Sequence, residues 1–391
     1  MTVEAAIAHN RFGLGLRPRE SGSVNSRSML KNQLASFDPA PPSLLGQPTR
    51  AALATEFREY QLDRRERRSD MKAAEAMAGG GPQIDPAKIE KVVNTLRQYY
   101  VAAADARINT ALASGTGFPE RLVHFWSNHF AVSIDKLPVL ALAGDFEFNA
   151  IRPNIMGKFS DLLFAAVTHP AMLLYLDQAQ SIGPKSPLAE RFAQRRTLGL
   201  NENLAREVLE LHTLGVRTVY SQNDVTELAR ALTGYTVGGM AKGPLQRFMA
   251  QNGGDGDMQF FGPIHEPGDR QIVGRRYAQQ GAAQARAILS DLATHPATAR
   301  HVATKLAAHF VADDPPATLV TRLEQSFLKS GGDLLTVYGV LIDAPEAWAA
   351  QPAKFKSPWD WVISSLRALD IRDVPGREQQ AVGMFAQLGQ T

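Results

Sequence analysis

The residues best placed to do chemistry lie in one stretch, Asn201-Glu202-Asn203-Leu204-Ala205-Arg206-Glu207-Val208-Leu209-Glu210-Leu211-His212-Thr213-Leu214-Gly215. At about 100° per residue in an α-helix, Leu204, Val208 and Leu211 form an apolar stripe, and Asn203, Glu207 and Glu210 share the adjacent arc. Two carboxylates and an amide at the edge of a buried face are the groups general acid–base catalysis needs. A carboxylate pair is also what glycoside hydrolysis uses. Arg206, about 40° from Glu210 on the same wheel, can neutralise that carboxylate or position an anionic substrate. The plainer alternative is a surface helix held by Glu–Arg pairs, each contributing about 0.2–0.5 kcal/mol.

Histidines from other segments complete the expected site. His129 ends Pro119-Glu120-Arg121-Leu122-Val123-His124-Phe125-Trp126-Ser127-Asn128-His129-Phe130. It diverges from His124 by about 140° on a helix, so one of the two faces the core and the other a cleft. His265-Glu266 sits in a glycine-rich stretch that can close over the central helix. The sequence therefore predicts Glu207, Glu210, His129 and His265 as catalytic groups and Asn203, Arg206, Asn128, Trp126 and Glu266 as substrate contacts. The leading function is a hydrolase or lyase acting on a glycan. His212 points about 160° away from Glu210 in a continuous helix and is read instead as meeting the last-turn carbonyls before Gly215.

Two other readings use the same residues. In one, Glu207, Glu210, His129 and His265 hold a divalent metal such as Zn, Mn or Fe. In the other, Arg206 lies between Glu202 and Glu210 in a buried ion network, and the protein is a non-catalytic binding or assembly partner. The row His301, Lys305, His309 advances by four and lies on one helix side. An ammonium between two imidazoles argues against a metal there, leaving a solvated face, with an anion-binding face as the alternative.

The elements that must position these groups are helical nearly throughout. Helices are predicted over Ser26–Leu34, about 50–77, Pro86–Ala113, Phe146–Ile155, Phe159–Thr168, from Pro170, Val225–Leu232 and from Gly281 onward. A flexible loop is expected near 78–86, at Ala78-Gly79-Gly80-Gly81-Pro82, and an irregular, partly β insertion over 235–275. Trp348, Trp359 and Trp361 are read as core or subunit-contact residues. The fold class is mainly α, a large single helical domain over 1–391.

Composition sets limits. The 391 residues are 44% hydrophobic, and 42 Lys+Arg against 39 Asp+Glu give a net charge of +3. The basic run Arg64-Arg65-Glu66-Arg67-Arg68 is interrupted by an acid, so no nucleic-acid footprint is expected. No cysteine occurs, which excludes disulfides and thiolate sites. The first residues have an early acid and no apolar core, so they do not read as a signal peptide; a cytoplasmic protein is the default expectation. No run of 18 or more apolar residues suits a membrane span.

Beyond these residue-level readings, the chain resembles the bacterial domain-of-unknown-function 1800 family. The resemblance rests on Phe125-Trp126-Ser127-Asn128-His129-Phe130, His169-Pro170-Ala171-Met172-Leu173, Asn201 through Gly215, Thr226 through Gly234, His265-Glu266-Pro267-Gly268, and His295-Pro296-Ala297-Thr298-Ala299. The family often has histidine at Ser127 and aspartate at Glu266. The resemblance implies a helical fold and no established activity. It also implies an envelope context: such proteins are often exported, and are often encoded beside a sulfatase-like family, which points to an envelope polymer or polysaccharide as substrate and a sulfatase-like protein as partner.

Overall fold

The computed structural model describes residues 2–18, 20, 25–76, 86–193, 199–240, 256–374 and 378–389. The expected loop at 78–85 lies outside the described residues. It is mainly α: 64% of the chain is helical and 5% is strand, in small sheets. Several helices begin where their capping residues say they must. Asn25 accepts from the Ser28 amide and starts Ser26–Ala35. Ser221 accepts from the Asp224 amide, and Asp224 accepts back from the Ser221 amide, so the helix runs Gln222–Leu232 and starts three residues before the expected Val225.

Two helices share an N-terminal device. His169 and His295 each precede a proline, and each imidazole Nδ1 accepts the amide two residues on, from Ala171 at 3.2 Å and from Ala297 at 3.1 Å. Proline supplies the fixed φ of the first turn, and histidine takes the place of the usual Ser or Asp cap. These helices are Pro170–Tyr175 and Pro296–Phe310.

The expected insertion is two short antiparallel hairpins. β1 (Tyr235–Val237) pairs with β2 (Met258–Phe260), and β3 (Arg270–Ile272) with β4 (Arg275–Tyr277). Residues 241–255 of it lie outside the described residues. Around these elements one core cluster draws buried side chains from Ile7 to Trp348, including Phe12, Phe118, Trp126, Phe159, Phe310 and Tyr338. Of the three tryptophans left open between core and contact, Trp348 and Trp359 are buried and Trp361 is 55% exposed. Among the described residues, no helix is long and apolar enough to cross a membrane.

The central segment differs from a plain α-helix in one respect that matters. Asn203–Glu207 is α-helical, and Val208–His212 continues as a π-turn with i→i+5 hydrogen bonds. The wider turn changes which side chains point inward. Leu204, Val208 and Leu209 are fully buried, whereas Leu211, expected on the apolar stripe, is 45% exposed, and His212 turns into the interior.

Candidate active site

Glu207 and Glu210 occupy the half-exposed side of the central segment, close enough for each charge to act on the other, but in unlike settings. Burial raises the Glu207 pKa and the Glu210 charge raises it further. Among the described residues no hydrogen bond or ion pair reaches the Glu207 side chain. Glu210, by contrast, accepts the Tyr220 hydroxyl at 2.8 Å and lies 3.5 Å from the Arg206 guanidinium. Burial raises the pKa of that tyrosine and its bond to Glu210 adds to the effect, so it stays a donor. Two carboxyls in unlike settings are the pattern of acid–base sites.

Arg206 spans both neighbours, 3.4 Å from Glu202 and 3.5 Å from Glu210. Its side chain is 42% exposed, so this is a solvated pair of i,i+4 contacts rather than a buried network. Glu202 is held by the Thr226 hydroxyl at 2.6 Å and the Gln222 amide at 2.8 Å. Asn203 stands exposed at the start of the segment, its amide bonded to Asn201 Oδ1 at 2.9 Å.

His129 lies at the end of this segment rather than beside the carboxylates. Its Nε2 is 3.1 Å from the His212 carbonyl, and the His301 Nε2 is 3.1 Å from the Leu211 carbonyl. A carbonyl only accepts, so both imidazoles carry their proton on Nε2. Histidines from other helices thus satisfy two carbonyls at the end of the turn, a task the sequence had given to His212. Burial holds the His129 imidazole well below its ordinary pKa, with Lys305 and His212 adding. Burial likewise lowers His212, to about 3.

His265 is in a different neighbourhood. Its Nδ1 donates to the Thr233 carbonyl at 2.8 Å and its ring meets Phe260, centroids 5.2 Å apart. Nε2 is therefore its basic nitrogen. Glu266 is buried, accepting the Lys185 amide at 2.7 Å, while its own amide donates to the Thr233 hydroxyl at 2.8 Å. It closes so tightly on Gly183 that a Cβ there would stand 2.6 Å from the Glu266 nitrogen. The loop is thus pinned to the segment around Gly183 and to Thr233. Among the described residues no hydrogen bond, ion pair or ring contact joins His129 or His265 to Glu207 or Glu210.

Trp126 is a core residue: it is fully buried and its indole donates to the Tyr338 hydroxyl at 2.6 Å, which passes the bond on to Ile155. Asn128 is exposed, its side-chain amide 3.2 Å from His124 Nε2. Arg107 donates to His124 Nδ1 at 2.9 Å, so Nε2 carries the proton and the amide oxygen is the atom that faces it.

Other groups were not anticipated. Tyr220 and Thr226 reach the carboxylates from beyond the Gly215 turn, and no period in the sequence announces them. His169 and Asp145 resemble a catalytic dyad, 2.9 Å apart. His169 Nδ1 is consumed by its cap, however, and Asp145, bound by Arg50 at 2.8 Å, is held at about 2 mainly by its bonds to His169, against burial. That pair is structural. A groove of about 820 Å³ runs along the Pro86–Ala113 helix, lined by Arg97, Asp105, Asn109 and Arg372 among others, and holds none of the expected site residues. Among the described residues no three His, Asp or Glu side chains are grouped to hold a metal.

No curated protein and no solved structure matches the chain. The model of the family described as "Protein of unknown function (DUF1800)" matches residues 7–391, essentially the whole chain, and the chain belongs to that family.

Proposed function

We propose that the protein is a hydrolase or lyase acting on a glycan or envelope polymer, with Glu207 as the proton donor and Glu210 as the base. The observation that carries this reading is the inequality of two carboxyls one turn apart. Glu207 has no partner among the described residues and burial favours its protonated form, whereas Glu210 is tied to Arg206 and Tyr220. A carboxyl whose protonated form is favoured by burial, beside an ion-paired one, supplies the groups for both halves of a proton transfer. Asn203 and Arg206, on the same exposed side, are the groups for substrate hydroxyl or acid contacts. His129 serves as a positioning residue, fixing the end of the turn. His265 Nε2 is a second base if substrate bridges the two neighbourhoods.

The experiment is release of reducing ends from acidic and neutral polysaccharides by wild type, Glu207→Gln and Glu210→Gln. Each substitution is expected to lower kcat by at least about 100-fold, in the range of lost acid–base catalysis, with little change in the unfolding midpoint. Turnover retained by both variants ends the proposal.

The non-catalytic network makes an opposite prediction at Arg206. Because its two ion pairs are solvated, Arg206→Ala is expected to cost less than about 1 kcal/mol by chemical denaturation. A loss of several kcal/mol would instead reveal a buried network whose role is folding.

A further inference from the structure

The Gly117–His129 and Pro296–Phe310 helices face each other along a polar seam. Arg121 lies against His309, its NH2 group 3.5 Å from Nε2, and Phe125 packs on the same ring. At the other end His129 meets His301, with ring centroids 6.0 Å apart, and His212 from the π-turn, at 6.2 Å. Lys305 stands between His301 and His309 on its helix and acts electrostatically on His129, His212 and His301. Among the described residues the carboxylate paired along the seam is Asp360, 3.1 Å from Arg121, and it serves that end.

The His212 end therefore has an imbalance of a definite kind. Among the described residues no carboxylate pairs with Lys305, and the electrostatic influences on the three imidazoles come from one another and from the ammonium. His212 Nδ1 is buried without a hydrogen-bond partner, whereas the equally unpartnered His129 Nδ1, whose ring proton sits on Nε2, can only accept and offers nothing to an anion. Buried polar atoms are seldom left unpaired, and an ammonium drawn away from water needs an opposite charge. The end is reachable, since Lys305 and His301 are only half-buried, while His129 and His212 form its floor. His129 and His301 have spent their N–H groups on carbonyls, which leaves Lys305 and His212 as the donors.

We infer that Lys305 and His212, walled by His129 and His301, bind a single oxyanionic group, a sulfate or a carboxylate. The Lys305 ammonium and the His212 imidazole N–H are the donors offered to it, and charge-assisted bonds of this type are the strong ones. The group can arrive as a free ion or as the acid substituent of a sugar. The inference does not depend on Glu207, because binding is read without turnover.

The test is calorimetric titration of the full chain with inorganic sulfate and, separately, with an oligogalacturonate, while histidine ring signals are followed by NMR. Wild type is expected to bind one equivalent at saturation, moving the His212 and His301 signals. Lys305→Met is expected to weaken binding about tenfold or more, as for loss of one hydrogen bond to a charged group, and Lys305→Arg to restore most of it. Circular dichroism checks that Lys305→Met is folded, and Lys305→Gln serves if it is not. Tighter binding of the oligogalacturonate than of sulfate supports the site and assigns the group to an acidic polymer; equal or weaker binding supports it as a free-ion site. Undiminished affinity in Lys305→Met, or no saturable binding of either probe, overturns the inference.

Discussion

Replacing Arg152 with methionine is expected to cost about 3–5 kcal/mol of unfolding free energy, the range for removing one partner of a buried ion pair. Arg152 grips both oxygens of Glu120, at 2.7 and 2.9 Å, where the two side chains are 2% and 8% exposed. It also donates to the carbonyls of Pro39 and Asp38, at 3.1 and 3.4 Å, and lies 5.3 Å over the Phe37 ring. One side chain thus joins the segment after the Ser26–Ala35 helix to the helix that carries His129. Methionine keeps some of the packing but leaves a carboxylate buried and alone. The charge imbalance, not the lost contacts, sets the magnitude, so the double variant Arg152→Met/Glu120→Leu should recover most of the loss. Urea denaturation of wild type and the two variants gives the comparison, and a loss under about 1 kcal/mol in Arg152→Met would show that the pair is not carrying this junction.

The second large effect is on pH. Burial holds His124, His129 and His309 well below their ordinary pKa of 6.5 and His212 at about 3. The unfolded chain takes up protons at these sites near pH 6.5 and the folded protein does not. Their contribution to stability is therefore whole above pH 6.5 and is lost progressively as pH falls toward the folded values. For His212 alone the loss between pH 6.5 and 5 is about 2 kcal/mol, at about 1.4 kcal/mol per pH unit, and the other three act in the same direction. Asp145, at about 2 against an ordinary 3.8, gives a second loss only below pH 3.8, outside this window. Denaturant midpoints measured at pH 8.5, 7.5 and 5.5 should be level over the first interval and drop over the second. A level or rising midpoint below pH 6.5 would mean that the histidines titrate in the folded protein. An oxyanion bound at Lys305 should blunt the drop, because a negative charge beside His129 and His212 makes protonation there less costly.

Much of the fold was legible in residue order because local chemistry decided it. Pro86–Ala113 and Phe159–Thr168 have the bounds that periodicity predicts, and the glycine-rich 235–275 stretch holds three of the four described strands and the first residue of the fourth. Family membership was legible as a resemblance carried by Asn201 through Gly215 and the other matching segments. The π-turn was not. Its i→i+5 bonding depends on packing from helices far along the chain, and an α-helical wheel placed Leu211 inside and gave His212 to the last-turn carbonyls. The site was half legible for a related reason. Glu207, Glu210 and Arg206 share an element, so their geometry follows from spacing. Tyr220 and His301 reach the same segment by tertiary contact, as do Lys305 and Thr226. Trp126 misled in the opposite direction: an aromatic beside polar residues reads equally as a sugar platform or as core, and only burial with a Tyr338 partner decides.

The π-turn has a consequence for chain length. A π-turn accommodates one residue more than the α-helical turn it replaces, so Val208–His212 can be regarded as a helix that has absorbed an insertion. Deleting His212 from it would let ordinary α-helical bonding close with the flanking segments kept in register. The carbonyls now bonded by His129 and His301 would be drawn into the helical ladder, and the His212 imidazole would be gone. Glu207, on the near side of the cut, would not move. Relatives that lack the extra residue would therefore keep the Glu207 carboxyl and lose the imidazole floor beside Lys305, separating by one deletion the two parts of the molecule that this sequence holds together.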